Sequence, residues 1–157
     1  MTMAESGTPV ILHAVTPAAM AEALRRTGYR AALADNAGVP QVQSAAQGLG
    51  FIVSFGNPGQ GGPGSYVDCA FQCWIGIQGE LPDELITAWN QGMRFARMFR
   101  QGEHLVVTMD VVVAGGVTEG YLSGQCELWD RVIRDFILHL RRPGGAAVAA
   151  AAAGSAP

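Results

Sequence analysis

The stretch SYVDCAFQCWIGIQG, residues 65–79, decides the fold. In an extended chain its side chains alternate, so Val67, Cys69, Phe71, Cys73 and Ile75 share one face. Asp68, Ala70, Gln72 and Trp74 take the other. One face is apolar and the other mixed, which predicts a strand inside a sheet with its two thiols turned toward a core. On such a strand Cys69 and Cys73 lie about 13 Å apart at ~3.3 Å per residue. Two thiolates on one zinc must each come within about 2.3 Å of the metal. The pair therefore reads as two small buried hydrophobes, and no metal site is expected.

The segment just before it, FGNPGQGGPGSY at 55–66, holds five glycines and two prolines. A phosphate-binding loop presents backbone N–H groups at a helix N-terminus, usually with a lysine nearby. Here a strand pattern follows instead, and all ten basic residues of the chain are arginines. The loop reads as a connection between strands, and no cofactor is expected.

Toward the N-terminus, Thr16 suits an N-cap, Pro17 the first helical turn and Gly28 the residue just past a helix end. Met20, Ala21, Ala23 and Leu24 give that helix its apolar stripe. Turn signals at Asp35-Asn36-Ala37-Gly38 and Gln47-Gly48 then separate three short strands, near 29–34, 40–46 and 50–55.

Toward the C-terminus, LPDELITAWNQGMRF predicts a helix with Pro82, Asp83 and Glu84 at its start and Leu85, Ile86, Trp89 and Met93 on one face, ending near Gly92. A hairpin follows, turning at Gln101-Gly102-Glu103. Its second arm directs Leu105, Val107, Met109, Val111 and Val113 one way and Val106, Thr108, Asp110 and Val112 the other. Gly115-Gly116 breaks the strand. Thr118 then caps a helix running to about Arg142, with Leu122, Cys126, Trp129, Ile133, Phe136 and Leu140 in its stripe, a length of roughly 36 Å. Strands and helices come in groups, which predicts an α+β fold: a mainly antiparallel twisted sheet with three helices packed against it.

The chain has 157 residues, 49% of them hydrophobic, with formal net charge −3. That suits one domain over 16–142, with a lead segment at 1–15 and an Ala/Gly-rich tail at 143–157 that is expected to be disordered. The acidic balance and scattered arginines argue against nucleic acid as a partner. No apolar run is long enough for a membrane helix, and MTMAESGTPVILHAV lacks the basic start of a signal peptide. Three cysteines, an odd number, favour the reducing cytoplasm.

His13, His104 and His139 have no Cys, Asp or Glu at a ligand or triad spacing, so no catalytic residue is assigned. Asp110 interrupts an apolar strand and calls for solvent, a function or an arginine partner such as Arg94 or Arg97. Trp89-Asn90 and Met93-Arg94-Phe95 combine aromatic, amide and guanidinium groups. They read either as an interaction surface or as a buried Trp89, an Asn90 bonded to a nearby helix terminus and a solvated Arg94.

Several segments resemble the YbjN family of bacterial sensory-transduction regulators: LPDELITAWNQGMRFARMF, HLVVTMDVVVAGGVTEGYL and LWDRVIRDFILHL. The markers are Trp89-Asn90, Arg94-Phe95 with Arg97, the strand ending at Asp110, and Gly115-Gly116 with Thr118. Residues 81–140 carry most of the likeness, and 16–77 fit more loosely. The resemblance implies a fold like that of type III secretion chaperones, often dimeric. It also implies a non-enzymatic, cytoplasmic regulator or chaperone-like protein that binds a protein or peptide. The alternative is a small-ligand binder or enzyme with a pocket near Asp110, Arg97 and His104.

Overall fold

The computed structural model describes residues 7–143, 145 and 148–149. Helix α1 (Pro17–Arg26) begins as the sequence predicts: the Thr16 hydroxyl accepts a hydrogen bond from the Ala19 amide at 3.1 Å. It ends in a Schellman turn. Gly28 N–H donates to Arg25 O, Tyr29 N–H donates to Leu24 O, and Gly28 has φ +95°. That closure holds Tyr29 at the helix end, so the next strand starts later than the sequence suggests. Strand β2 (Ala32–Asn36) pairs with β3 (Val39–Ala46) through a two-residue turn at Ala37-Gly38, both with positive φ. Asp35 and Asn36 therefore belong to the strand, and the turn is shorter than its four-residue signal.

Strand β4 (Leu49–Phe55) follows from a second tight turn at Gln47-Gly48. The loop from 56 to 67 then leads into β5 (Asp68–Ile77). Strand β5 shows the strict alternation read from its sequence, with Cys69, Phe71, Cys73, Ile75 and Ile77 buried and the residues between them half-buried. Helix α2 (Asp83–Gly92) precedes the hairpin of β6 (Arg97–Gln101) and β7 (His104–Val112). A two-strand pair of β1 (Ile11–Leu12) with β8 (Val117–Thr118) leads into α3 (Glu119–Leu140).

All pairings are antiparallel, and the main path runs β2-β3-β4-β5-β7-β6. A short strand β9 (Val148–Ala149) pairs with the end of β5. It falls in the segment expected to be disordered, most of which lies outside the described residues. Among the described residues the architecture is α+β, with a six-strand antiparallel path and three helices.

One hydrophobic cluster runs from Val15 to Phe136 and joins the inner sheet face to all three helices. Trp129 of α3 packs on Phe51 and Phe71 with ring centroids 5.7 and 5.5 Å away. Burying side chains of this size dominates the stability of such a layer. Ile52 and Val106 are buried too, but they alternate onto the opposite face of the sheet. Val106 is flanked in register by the larger Trp74 and Phe99.

Candidate functional site

The residues singled out in the sequence separate into three places. Trp89 is fully buried, edge-on to Phe136 and His139 with centroids 5.9 and 5.3 Å away. Its indole N–H donates to the Ala96 carbonyl at 3.1 Å. Asn90 is its neighbour on α2 and uses both ends of its amide. Nδ2 donates to Met98 O, and Oδ1 accepts from Met98 N–H, each at 2.8 Å. The amide thus does for β6 what an adjacent strand would do. Asn90 bonds a strand edge, not the helix terminus that was one reading of it.

His139 completes the same corner from α3, where its Nε2–H donates to Leu85 O at 2.7 Å. A carbonyl can only accept, so the proton is on Nε2.

The second place is the start of α3. Gly115 and Gly116 have φ of +89° and +101°, which side chains other than glycine rarely adopt. A Cβ on Gly116 would also meet Ile11 Cγ2 at 2.7 Å and His13 Cε1 at 3.1 Å. The turn must stay bare for β1 to lie against β8. Thr118 caps α3 by accepting from Tyr121 N–H at 3.0 Å.

The third place is exposed. Arg97 Nη1 lies 2.7 Å from Asp110 Oδ2, with both side chains more than half exposed. The Arg97 guanidinium also sits over the Phe99 ring at 5.9 Å. Arg94 stacks on Phe95 at 5.0 Å. Phe95 is 61% exposed and has φ +75°, a backbone state that is costly for a bulky aromatic residue. Val112 is 58% exposed two residues beyond Asp110. Beside it a depression of about 350 Å³ is lined by Ser54, Phe55, Asp68, Ala70, Asp110 and Val112, among others. His104 lies farther along the same strand and packs edge-on to Trp74 at 5.8 Å.

The glycine loop is a built connection. Gly59 N–H donates to Ser65 O at 2.7 Å, and Val67 N–H donates to Asn57 O at 2.9 Å. Val15 and Tyr66 exchange backbone bonds that tie the loop to the N-terminal segment.

The three thiols are free and buried. Desolvation pushes Cys69 and Cys73 up to about 12 and Cys126 to about 11. For Cys69 the nearby Asp68 charge adds to the effect, and for Cys126 a hydrogen bond from Thr27 partly offsets it. Such thiols stay protonated and unreactive at neutral pH. Among the described residues, no three His, Cys, Asp or Glu side chains gather as a metal site would need. No helix among them is long and apolar enough to cross a membrane.

A family model for YbjN, described as "Putative bacterial sensory transduction regulator", matches residues 16–142. The chain belongs to the YbjN family. No curated protein matches it. Of the YbjN motif residues read from the sequence, Trp89, Asn90, Gly115, Gly116 and Thr118 hold backbone in place. Arg94, Phe95, Arg97 and Asp110 form the exposed remainder.

Proposed function

We propose that this YbjN protein is a non-enzymatic interaction module, a regulator that binds a protein or peptide in the bacterial cytoplasm. Its contact surface is the sheet face opposite the helices, around the Arg97–Asp110 pair. The carrying observation is Phe95: an aromatic ring kept 61% exposed at a strained backbone position, under the Arg94 guanidinium and two residues before Arg97. Backbone strain concentrates where a side chain is presented to something. Arg97 is of the residue type that anchors protein interfaces, and Val112 adds exposed apolar surface near it. Three free, buried cysteines suit a reducing compartment.

The test is affinity capture from the source bacterium with wild type, Phe95→Ala and Val112→Asp proteins. The expected result is a partner retained by wild type and lost from both variants at unchanged melting temperature. Equal retention by all three would overturn the surface assignment.

The depression beside Asp110 favours a second reading, a small-ligand site with Asp68 and Asp110 as its polar groups. A thermal-shift screen against metabolites distinguishes the two. Ligand stabilisation grows as RT ln(1 + [L]/Kd), so a shift of several degrees that Asp110→Ala abolishes would favour the pocket.

A further inference from the structure

We propose that the corner between α2 and α3 binds a small zwitterion, a free amino acid with a short aliphatic side chain. The site belongs to the helical layer, so the inference is independent of the helix-free face and of any partner bound there.

Where the start of α2 meets the end of α3, a concavity of about 190 Å³ is lined by Glu84, Leu85, Ala88, His139, Arg142 and Pro143. Sites for drug-sized ligands run from ~300 to 1,000 Å³, so this one suits a much smaller molecule. Its walls carry opposite charges that do not neutralise each other. Glu84 supplies a carboxylate and Arg142 a guanidinium, yet neither forms an ion pair among the described residues. Elsewhere on α3 a similar couple, Asp130 and Arg134, closes to 2.9 Å. Glu84 and Arg142 instead stand on separate elements and border one cavity.

The imidazole beside them is committed on one side only. His139 is nine-tenths buried, and its Nε2–H donates to Leu85 O at 2.7 Å. In that tautomer Nδ1 is a bare acceptor. The buried side-chain atoms without partners are Thr108 Oγ1 and Trp129 Nε1. Nδ1 is not one of them, so it opens outward, and the concavity is what its ring borders.

An ammonium group fits this pair of acceptors, donating to the Glu84 carboxylate and to His139 Nδ1. A carboxylate fits Arg142, whose planar fork can hold it through two parallel hydrogen bonds. Leu85, Ala88 and Pro143 leave apolar wall for a short side chain. A simple cation would be repelled by Arg142, and a simple anion by Glu84. A molecule carrying both charges satisfies both walls at once. Bound there, it touches α2 and α3 together and reinforces the Leu85–His139 contact.

Calorimetric titration and amide chemical-shift mapping of the full chain with L-alanine, L-valine and L-leucine test the proposal. At least one is expected to bind, with shifts at Glu84, Leu85, Ala88 and His139. Glu84→Gln and Arg142→Gln each weaken its binding at least about tenfold. Blocked forms separate the two ends. The amino-acid amide, which lacks the carboxylate, should bind more weakly than its parent and be indifferent to Arg142→Gln. The N-acetyl acid, which lacks the ammonium, should be indifferent to Glu84→Gln. Both positions are exposed, so the fold survives each change, as circular dichroism will verify. No binding by any of the three at millimolar concentrations, or shifts that map elsewhere, would overturn the proposal. So would binding that either substitution leaves unchanged.

Discussion

The two edges of the sheet are finished in opposite ways. At β6, three outward backbone groups are bonded by side chains of α2: Ala96 O takes the Trp89 indole N–H, and Met98 is held at both N–H and C=O by Asn90. At β2, Leu33 and Asp35 present theirs to solvent. An unpaired edge is a template for another strand, and natural sheets close it or use it. One dipeptide on a helix covers the first part of that edge, from Ala96 to Met98. The motif residues Trp89 and Asn90 are thus explained by the sheet edge they seal and not by chemistry at a surface. The contrast is between Met98, whose outward groups are held, and Leu33, whose outward groups are not.

The largest test of that contrast is Trp89→Ala. It removes a fully buried indole and leaves Ala96 O without its donor. A loss of about 3–5 kcal/mol is expected in chemical denaturation. A loss below about 1 kcal/mol would mean that the indole does not anchor α2 to the edge strand.

High pH probes what lies between the edges. The thiols of Cys69, Cys73 and Cys126 are raised from 9.0 to about 12, 12 and 11. A raised folded-state value means that the native protein holds its protons more tightly than the unfolded chain. The stability from these buried thiols is complete below about pH 9 and falls progressively as pH climbs toward 12. Replacing Cys73 by alanine should lower stability at neutral pH but flatten that alkaline decline. An unchanged slope would contradict burial as the cause.

Asn90→Leu keeps the volume of the side chain and discards its two hydrogen bonds. We expect a loss of about 1–3 kcal/mol from the unpaired Met98 groups. We also expect concentration-dependent association through the newly opened β6, read by light scattering. A variant as stable and as monodisperse as wild type would break the comparison at its stronger end.

The smallest effect belongs to Arg97→Ala. Its ion pair with Asp110 is exposed, so folding stability should change by less than about 1 kcal/mol. Partner capture should fall even so. A larger stability loss would assign Arg97 to the framework with Asn90.

Much of this was legible locally. The Thr16 cap and Gly28 stop, the alternation of β5 and the stripe of α3 are written in spacings shorter than a turn or in a period of two. The edge closure was not legible. Trp89 reaches Ala96 and Asn90 reaches Met98 only because the chain reverses between α2 and β6. Trp89 and Asn90 therefore read equally well as surface or core. The burial of Val106 and Thr108 depends on neighbours contributed by other strands, Trp74 and Gln72 on one side and Phe99 and Arg97 on the other. Alternation placed these two residues on the second face but could not say what covers them. The left-handed backbone of Phe95 has no sequence signal, because aromatic residues seldom adopt it. The β1–β8 pair was hidden for a related reason, since Gly115-Gly116 reads as a strand break and the approach of Ile11 appears only in three dimensions.

Amide hydrogen exchange at Met98, compared between wild type and Asn90→Leu, tests the sealed-edge account most directly. Met98 N–H should be protected in wild type and should exchange in the variant as fast as the open-edge amide of Leu33 does in dilute solution. A Met98 amide equally protected in both proteins would show that something other than the Asn90 side chain closes β6.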